Sequence, residues 1–560
     1  MYPTRLIDVA PEGFSSGFWR LVEVHDEVLT GPFMTLSHRW GSGTIKLERG
    51  TQHLMLGGMP LSILPGTYQD AIKVVKDLNV RYLWIDSICI FQDERTDIQK
   101  EATRMAEVYG SAICNISALS GKDNGLFCTR TPEIMNSDSV ILDQATFQLN
   151  TSFLINDLQL WRGELIHMPL TNRGWVLQEE VLAPRTIYFG SRQVLWNCLH
   201  SRSCETYPSL HPKRQVYIGK STTDKGTFLD DDELEPITSW LSFVKQHSNQ
   251  DDLPGLTLNQ VDQKILYKVW TDFVAHYSLR QLTFPIDKLL AIAGVSKLFG
   301  TVMRDDFIAG LWRQHLMEGL LWYIRVNTRT ASPSEYRAPT WSWASKDGYV
   351  IHAPPFNASW IVARALDVQC NVISNECTAP PQQFGVVTSG TMTLQAPLIQ
   401  IRISEDGNWI VVPRRHHISV PQLTIRVDTS DIIPAGEEYT GAIIRTTAYH
   451  LTDVASDHVG KKVLLAAQGV LLKATGQSST QTQRPSSSSS SDEQLFSYTR
   501  VGYFGLEDRR SGTLTPRWAP AAADDSGSAI FPPPVKQADL PEFDFGKATR
   551  AAALSIVEVL

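Results

Sequence analysis

The 560-residue sequence contains no run of about 18 uncharged apolar residues, the minimum for a helix that crosses a bilayer. Its first residues, "MYPTRLIDVAPEGF", have no basic segment leading into an apolar stretch, so no secretory leader is read there. A soluble, cytoplasmic protein without a transmembrane segment is expected. Cysteine is scarce: seven are scattered without dense spacing, and an odd count fits reduced thiols better than a disulfide framework. An excess of positive charge is missing too. The formal net charge of −8 offers phosphate backbones no global attraction, so nucleic acid is not expected as a main partner. No repeat of solenoid or propeller period occurs.

What is present is ordinary core material, 42% hydrophobic and 20% charged residues, in a chain longer than one hydrophobic core usually serves. Two or three domains follow. Segments 33–40, 67–79, 81–90, 96–110 and 112–119 alternate strand-like and helix-like patterns, which reads as a βαβαβ layer with ligands expected beyond the carboxyl ends of its strands. Ser37, His38, Asp86 and Ser87 would lie near that rim. A helix is predicted over 97–109, with Thr96 and Gln99 as a capping box and a buried stripe through Ile98, Ala102, Met105 and Tyr109. A short helix is expected around Trp175 to Val181, then a hairpin from Thr186 to Asn197.

Turn-forming and acidic residues at 201–235 read as a linker, and helical spacing dominates 236–337. From 338 to 560 the short alternating segments predict a β-rich, antiparallel region, interrupted by a serine-rich tract at 475–494 that is expected to be a mobile loop. Residues 1–30 are read as an extension before the first domain.

Five ordered stretches, "TLSHRWG" (35–41), "LPGTYQDAI" (64–72), "YLWIDSICIFQD" (82–93), "EATRMAEVY" (101–109) and "NRGWVLQEEVLAPR" (172–185), resemble the motifs of the fungal heterokaryon incompatibility (HET) domain. "YSLRQLTFPIDKLLAIAG" (277–294), "GLWRQHLMEGLLW" (310–322), "RAPTWSWAS" (337–345) and "YTRVGYFGL" (498–506) are similar to the region often attached to it. In one departure, His38 stands where the family usually has tyrosine. The resemblance implies a role in fungal non-self recognition and regulated cell death, with other incompatibility proteins as partners and self-association on activation. It also implies a TIR-like α/β domain at 31–200. Some TIR domains cleave NAD, which makes NAD a candidate substrate here, with no cofactor or metal required. The alternative is a non-enzymatic module that acts by self-association and effector recruitment.

On this resemblance Glu101 takes the place of a glutamate that contacts the ribose of NAD, while helical geometry puts it about 60° from Ile98, at the border of the buried stripe. The other reading pairs Glu101 with a basic residue such as Arg173. Asp86 either joins Glu101 in catalysis or ties the turn after its strand. Ser37, His38, Arg173 and Trp175 are the candidate ligand-binding residues, Arg173 for a phosphate and Trp175 for stacking on a ring. The alternative for Trp175 is inward packing beside Gln178. Gly41 and Gly43 are read as a tight turn. A Cys89 nucleophile with His38 and Asp86 is considered, but "SICIF" is an apolar setting in which cysteine is usually just buried.

Overall fold

The computed structural model describes residues 1–15, 17–41, 43–119, 125–129, 139–140, 153–154, 165, 168–198, 202–206, 208, 260–330, 333–353, 359–373, 385–404, 408–412, 422–428, 430, 436–451, 462–478, 496–507 and 554–559. The chain divides into two compact units, one of Met1–Phe307 with Ile373–Val386, the other of Ile308–Val372 with Val387–Leu560.

In the first unit the strands of the main sheet are β1 (Arg5–Asp8), β2 (Phe18–Glu23), β3 (Phe33–Ser37), β4 (Met59–Pro60), β5 (Tyr82–Ile85), β6 (Cys114–Ala118), β7 (Arg185–Phe189), β8 (Val194–Cys198) and β9 (Arg202–Cys204). They form one sheet in the order β9-β8-β7-β6-β3-β5-β1-β2-β4. Its centre, β5-β3-β6-β7, is parallel. The flanks are antiparallel, including the β7–β8 hairpin with Thr186 opposite Asn197. Every residue of β3, β5 and β6 is buried, as expected of strands covered on both faces. The residues before 31, expected as an extension, contribute β1 and β2. The structure supports a mixed α/β unit with parallel strands at its centre, followed by a β-rich region.

Helix α1 (Gly66–Asp77) buries Tyr68, Ala71, Ile72 and Val75, and Asn79 at φ 56° turns the chain toward β5. Helix α2 (Arg95–Ser111) is longer than predicted and differs from prediction in two ways. Glu94 is its cap residue, so Thr96 lies inside the first turn instead of capping it, with its hydroxyl on Glu94. The buried face is also rotated: Ile98 is 38% exposed and Glu101 is 1% exposed. The reason is tertiary, because β1 supplies Arg5 to Asp97, at 2.9 Å for each of two bonds, and Thr4, just before β1, donates to Glu101 at 2.6 Å. Helix α3 (Gly174–Leu182) packs on α2 and on α5 (Ala293–Met303). Gly294 makes the close approach: a Cβ there would lie 2.4 Å from Ala106 Cβ. Helix α4 (Gln260–Ser278) buries Trp270 and Phe273, whose rings stack at 5.6 Å.

In the second unit β10 (Trp322–Ile324) pairs with β11 (Val350–His352). The large sheet of this unit contains β12 (Ser359–Ile361), β13 (Arg364–Ile373), β14 (Val386–Ile403), β15 (Trp409–Val412), β16 (Gln422–Val427), β17 (Glu438–Leu451), β18 (Lys462–Ser478), β19 (Phe496–Glu507) and β20 (Leu554–Val559). Seven of them run β12-β17-β18-β19-β20-β14-β13, β15 pairs with β14 and β16 with β19, and a further β14–β17 pairing closes a ring. The β19–β20 pair is parallel, a departure from the antiparallel pattern expected. Residues 475–478, read as the start of a loop, continue β18, with Ser478 opposite Phe496; 479–494 lie outside the described residues. The "RAPTWSWAS" stretch is core: Trp341 and Trp343 are fully buried, the Trp322 indole donates to Trp341 O at 2.9 Å, and Trp343 donates to Gly310 O at 2.8 Å.

Candidate functional site

Among the parallel strands β3 comes first in the chain, β5 second and β6 third, and β3 lies between the other two. Connections therefore leave β3 in opposite directions, and the crevice between the carboxyl ends of β3 and β6 is a topological switch point, where open α/β sheets hold ligands. Ser37 ends β3 there, level with Ser117 of β6. Asn115 Nδ2 donates to Ser37 Oγ at 3.0 Å, while Thr35 Oγ1 donates to Asn115 Oδ1 at 2.9 Å.

Over this pair sits Glu179 of α3. Its Oε2 accepts the Ser37 hydroxyl and, at 2.9 Å, the Tyr109 hydroxyl from the last turn of α2. The side chain is held in place by its helix: the Gly174 amide donates to Gln281 O at 2.7 Å, and a Cβ on Gly174 would come 2.6 Å from Leu282. Glu179 is 6% exposed. Burial pushes its carboxyl up to about 7, the Ser37 bond opposes this, Asp86 adds to it, and Arg173 and Tyr109 oppose it.

A second arm starts at His38, which is buried. Its Nε2 lies 2.7 Å from Tyr68 Oη, and the same hydroxyl lies 2.7 Å from Ser87 Oγ. Burial lowers the His38 pKa, so the ring is neutral, with Nδ1 3.8 Å from Asp86 Oδ1. Asp86 lies at the turn after β5. Its Oδ1 accepts the Ser87 amide at 2.7 Å and so ties the turn. The side chain nevertheless stays 24% exposed, with the Trp40 indole donating to both oxygens at 3.2 and 3.0 Å. Arg173 Nη1 donates to His38 O at 2.8 Å and closes the group.

The structure thus brings Ser37, His38, Asp86 and Arg173 together and leaves two predicted residues elsewhere. Glu101 belongs to a cluster with Thr4 and Arg104, whose Nη1 is 3.8 Å away, and shows no bond to Arg173. Trp175 hydrogen-bonds Asp287, whose carboxyl burial raises to about 6. Cys89 is fully buried and its thiol is pushed up to about 12, far from a nucleophile's range. Glu179, Tyr109, Tyr68 and Asn115 had no site role in the sequence reading. The one available signal was a glutamate among Val176, Leu177 and Leu182 on a helix short enough to be buried.

No curated protein and no solved structure matches the chain. Residues 33–179 match the family described as Heterokaryon incompatibility protein (HET), a span that opens on the first residue of β3 and closes on Glu179. The chain therefore carries a HET domain, and the switch-point cluster lies within it.

Proposed function

We propose that this chain acts in a heterokaryon incompatibility response and drives regulated cell death by cleaving the N-ribosyl bond of NAD at the β3–β6 rim, with Glu179 as the key carboxylate. The observation that carries the reading is a buried carboxylate at a switch point, bonded by two hydroxyls and, among the described residues, by no cation. In the reaction the C1′–N bond breaks and nicotinamide leaves as a neutral molecule with the electron pair. Positive charge develops on the ribose, and a carboxylate in a water-poor site stabilises it. Water then attacks C1′, giving ADP-ribose and a proton. Asp86 and Trp40, half open, form the entry side, and Arg173 has guanidinium donors beyond the His38 contact for a phosphate. Only ionised Glu179 can serve, so turnover should rise with pH through about 7.

A second reading, a non-enzymatic module working by self-association, is favoured by the 1% exposure of Ser37 and 6% exposure of Glu179, since a closed network is sufficient as internal polar packing. Nicotinamide release by the concentrated full chain, beside Glu179→Gln and Glu101→Gln, separates them. Turnover lost in Glu179→Gln and kept in Glu101→Gln is expected. The reverse pattern would move the chemistry to Glu101, and absence of turnover in the clustered wild type would leave the self-association reading.

A further inference from the structure

The second unit contains a concentration of positive charge that the proposed reaction does not use. Strand β10 lies against β16, and the chains beyond them stay together, with the Ser430 amide donating to Thr330 O at 3.0 Å. This brings Arg329 beside Arg426 and Asp428. Asp428 is committed elsewhere: its Oδ2 accepts Arg500 Nε at 2.9 Å, and both side chains are at most 1% exposed. Arg500 also donates to Leu320 O and Trp322 O. Among the described residues, neither Arg329 nor Arg426 has a carboxylate within ion-pair distance. The Arg426 guanidinium lies 5.8 Å from the centre of the Tyr323 ring, and Arg329 Nε is buried without a hydrogen-bond partner.

Two like charges on neighbouring, half-buried side chains repel, and the pKa of Arg329 is lowered by burial and by Arg426, with Asp428 opposing both. A bound anion removes both penalties. The planar fork of each guanidinium fits phosphate oxygens bidentately, whereas a halide offers a single point of contact. We propose that Arg329 and Arg426, backed by Tyr323, form a binding site for the phosphoryl group of a small molecule, separate from the HET-domain rim.

Isothermal titration of the full chain with inorganic pyrophosphate at low salt tests this, with thermal melts confirming that each variant is folded. Saturable binding is expected that weakens about tenfold or more in Arg329→Gln and in Arg426→Gln. Should Arg329→Gln fail to fold, Arg329→Lys keeps the charge, loses the fork and is expected to bind more weakly than wild type. Repeating the titration with ATP and with ribose 5-phosphate tells a nucleotide from a sugar phosphate. No saturable heat with any of the three probes, or affinity that is the same in wild type and both arginine variants, overturns the site.

Discussion

Glu179 of the first unit and Asp428 of the second are both buried carboxylates, and they are handled in opposite ways. Asp428 faces the guanidinium of Arg500, which opposes the effect of burial, stacks 3.6 Å from the Trp322 ring centre and spends its other donors on main-chain oxygens. Glu179 receives hydroxyl protons from Ser37 and Tyr109 and no bonded cation. The first arrangement locks a fold. The second leaves a proton free to come and go near neutral pH, which suits a site that does chemistry.

The sharpest test of the contrast is to remove the cation. Arg500→Met strands Asp428 as an unpaired buried charge and should cost about 3–5 kcal/mol, read from urea unfolding, with Asp428→Asn in the same chain recovering part of it. A loss under about 1 kcal/mol would erase the distinction between the two carboxylates.

At Glu179 the expected signature is pH dependence. The folded carboxyl titrates near 7 against an ordinary 4.5, so the folded state holds a proton that the unfolded chain has already lost. The sign follows: this contribution is fully present below pH 4.5 and is lost as pH rises through 7, about 3 kcal/mol in all. Glu179→Gln should flatten the stability profile across that window, and an unchanged slope would assign the titration to another group.

The smallest effect probes what holds the rim from behind. Gly294→Val forces a side chain against Ala106 and to within 3.0 Å of Leu182, at a cost of about 1–3 kcal/mol in thermal or urea unfolding. Ala106→Gly in the same chain should relieve it. A neutral Gly294→Val would show that α5 does not brace α2 and α3.

Strand β5 was legible because Tyr82–Ile85 is bulky on both faces, and α2 because Ala102, Met105 and Tyr109 recur at helical spacing. Which side of α2 faces inward was not. Ile98 and Glu101 exchanged places because Thr4 and Arg5, more than 90 positions away in sequence, supply the partners that make burial of Asp97 and Glu101 favourable. Periodicity records apolar residues; it is silent about an acid whose partner arrives from another strand.

The same limit governs the site. Ser37 and Asp86 could be placed at the rim because they follow apolar strands directly, and the end of a strand is a local property. Glu179 could not, since its two hydroxyl partners stand 142 and 70 positions before it in the chain. Local sequence thus determined the alternation of strands and helices, the HET motifs and the polar ends of β3 and β5. Strand order decided that β3 and β6 lie side by side, and with that which acid is buried between them, because the environment that sets a carboxylate's charge is made of residues that only the folded chain brings together.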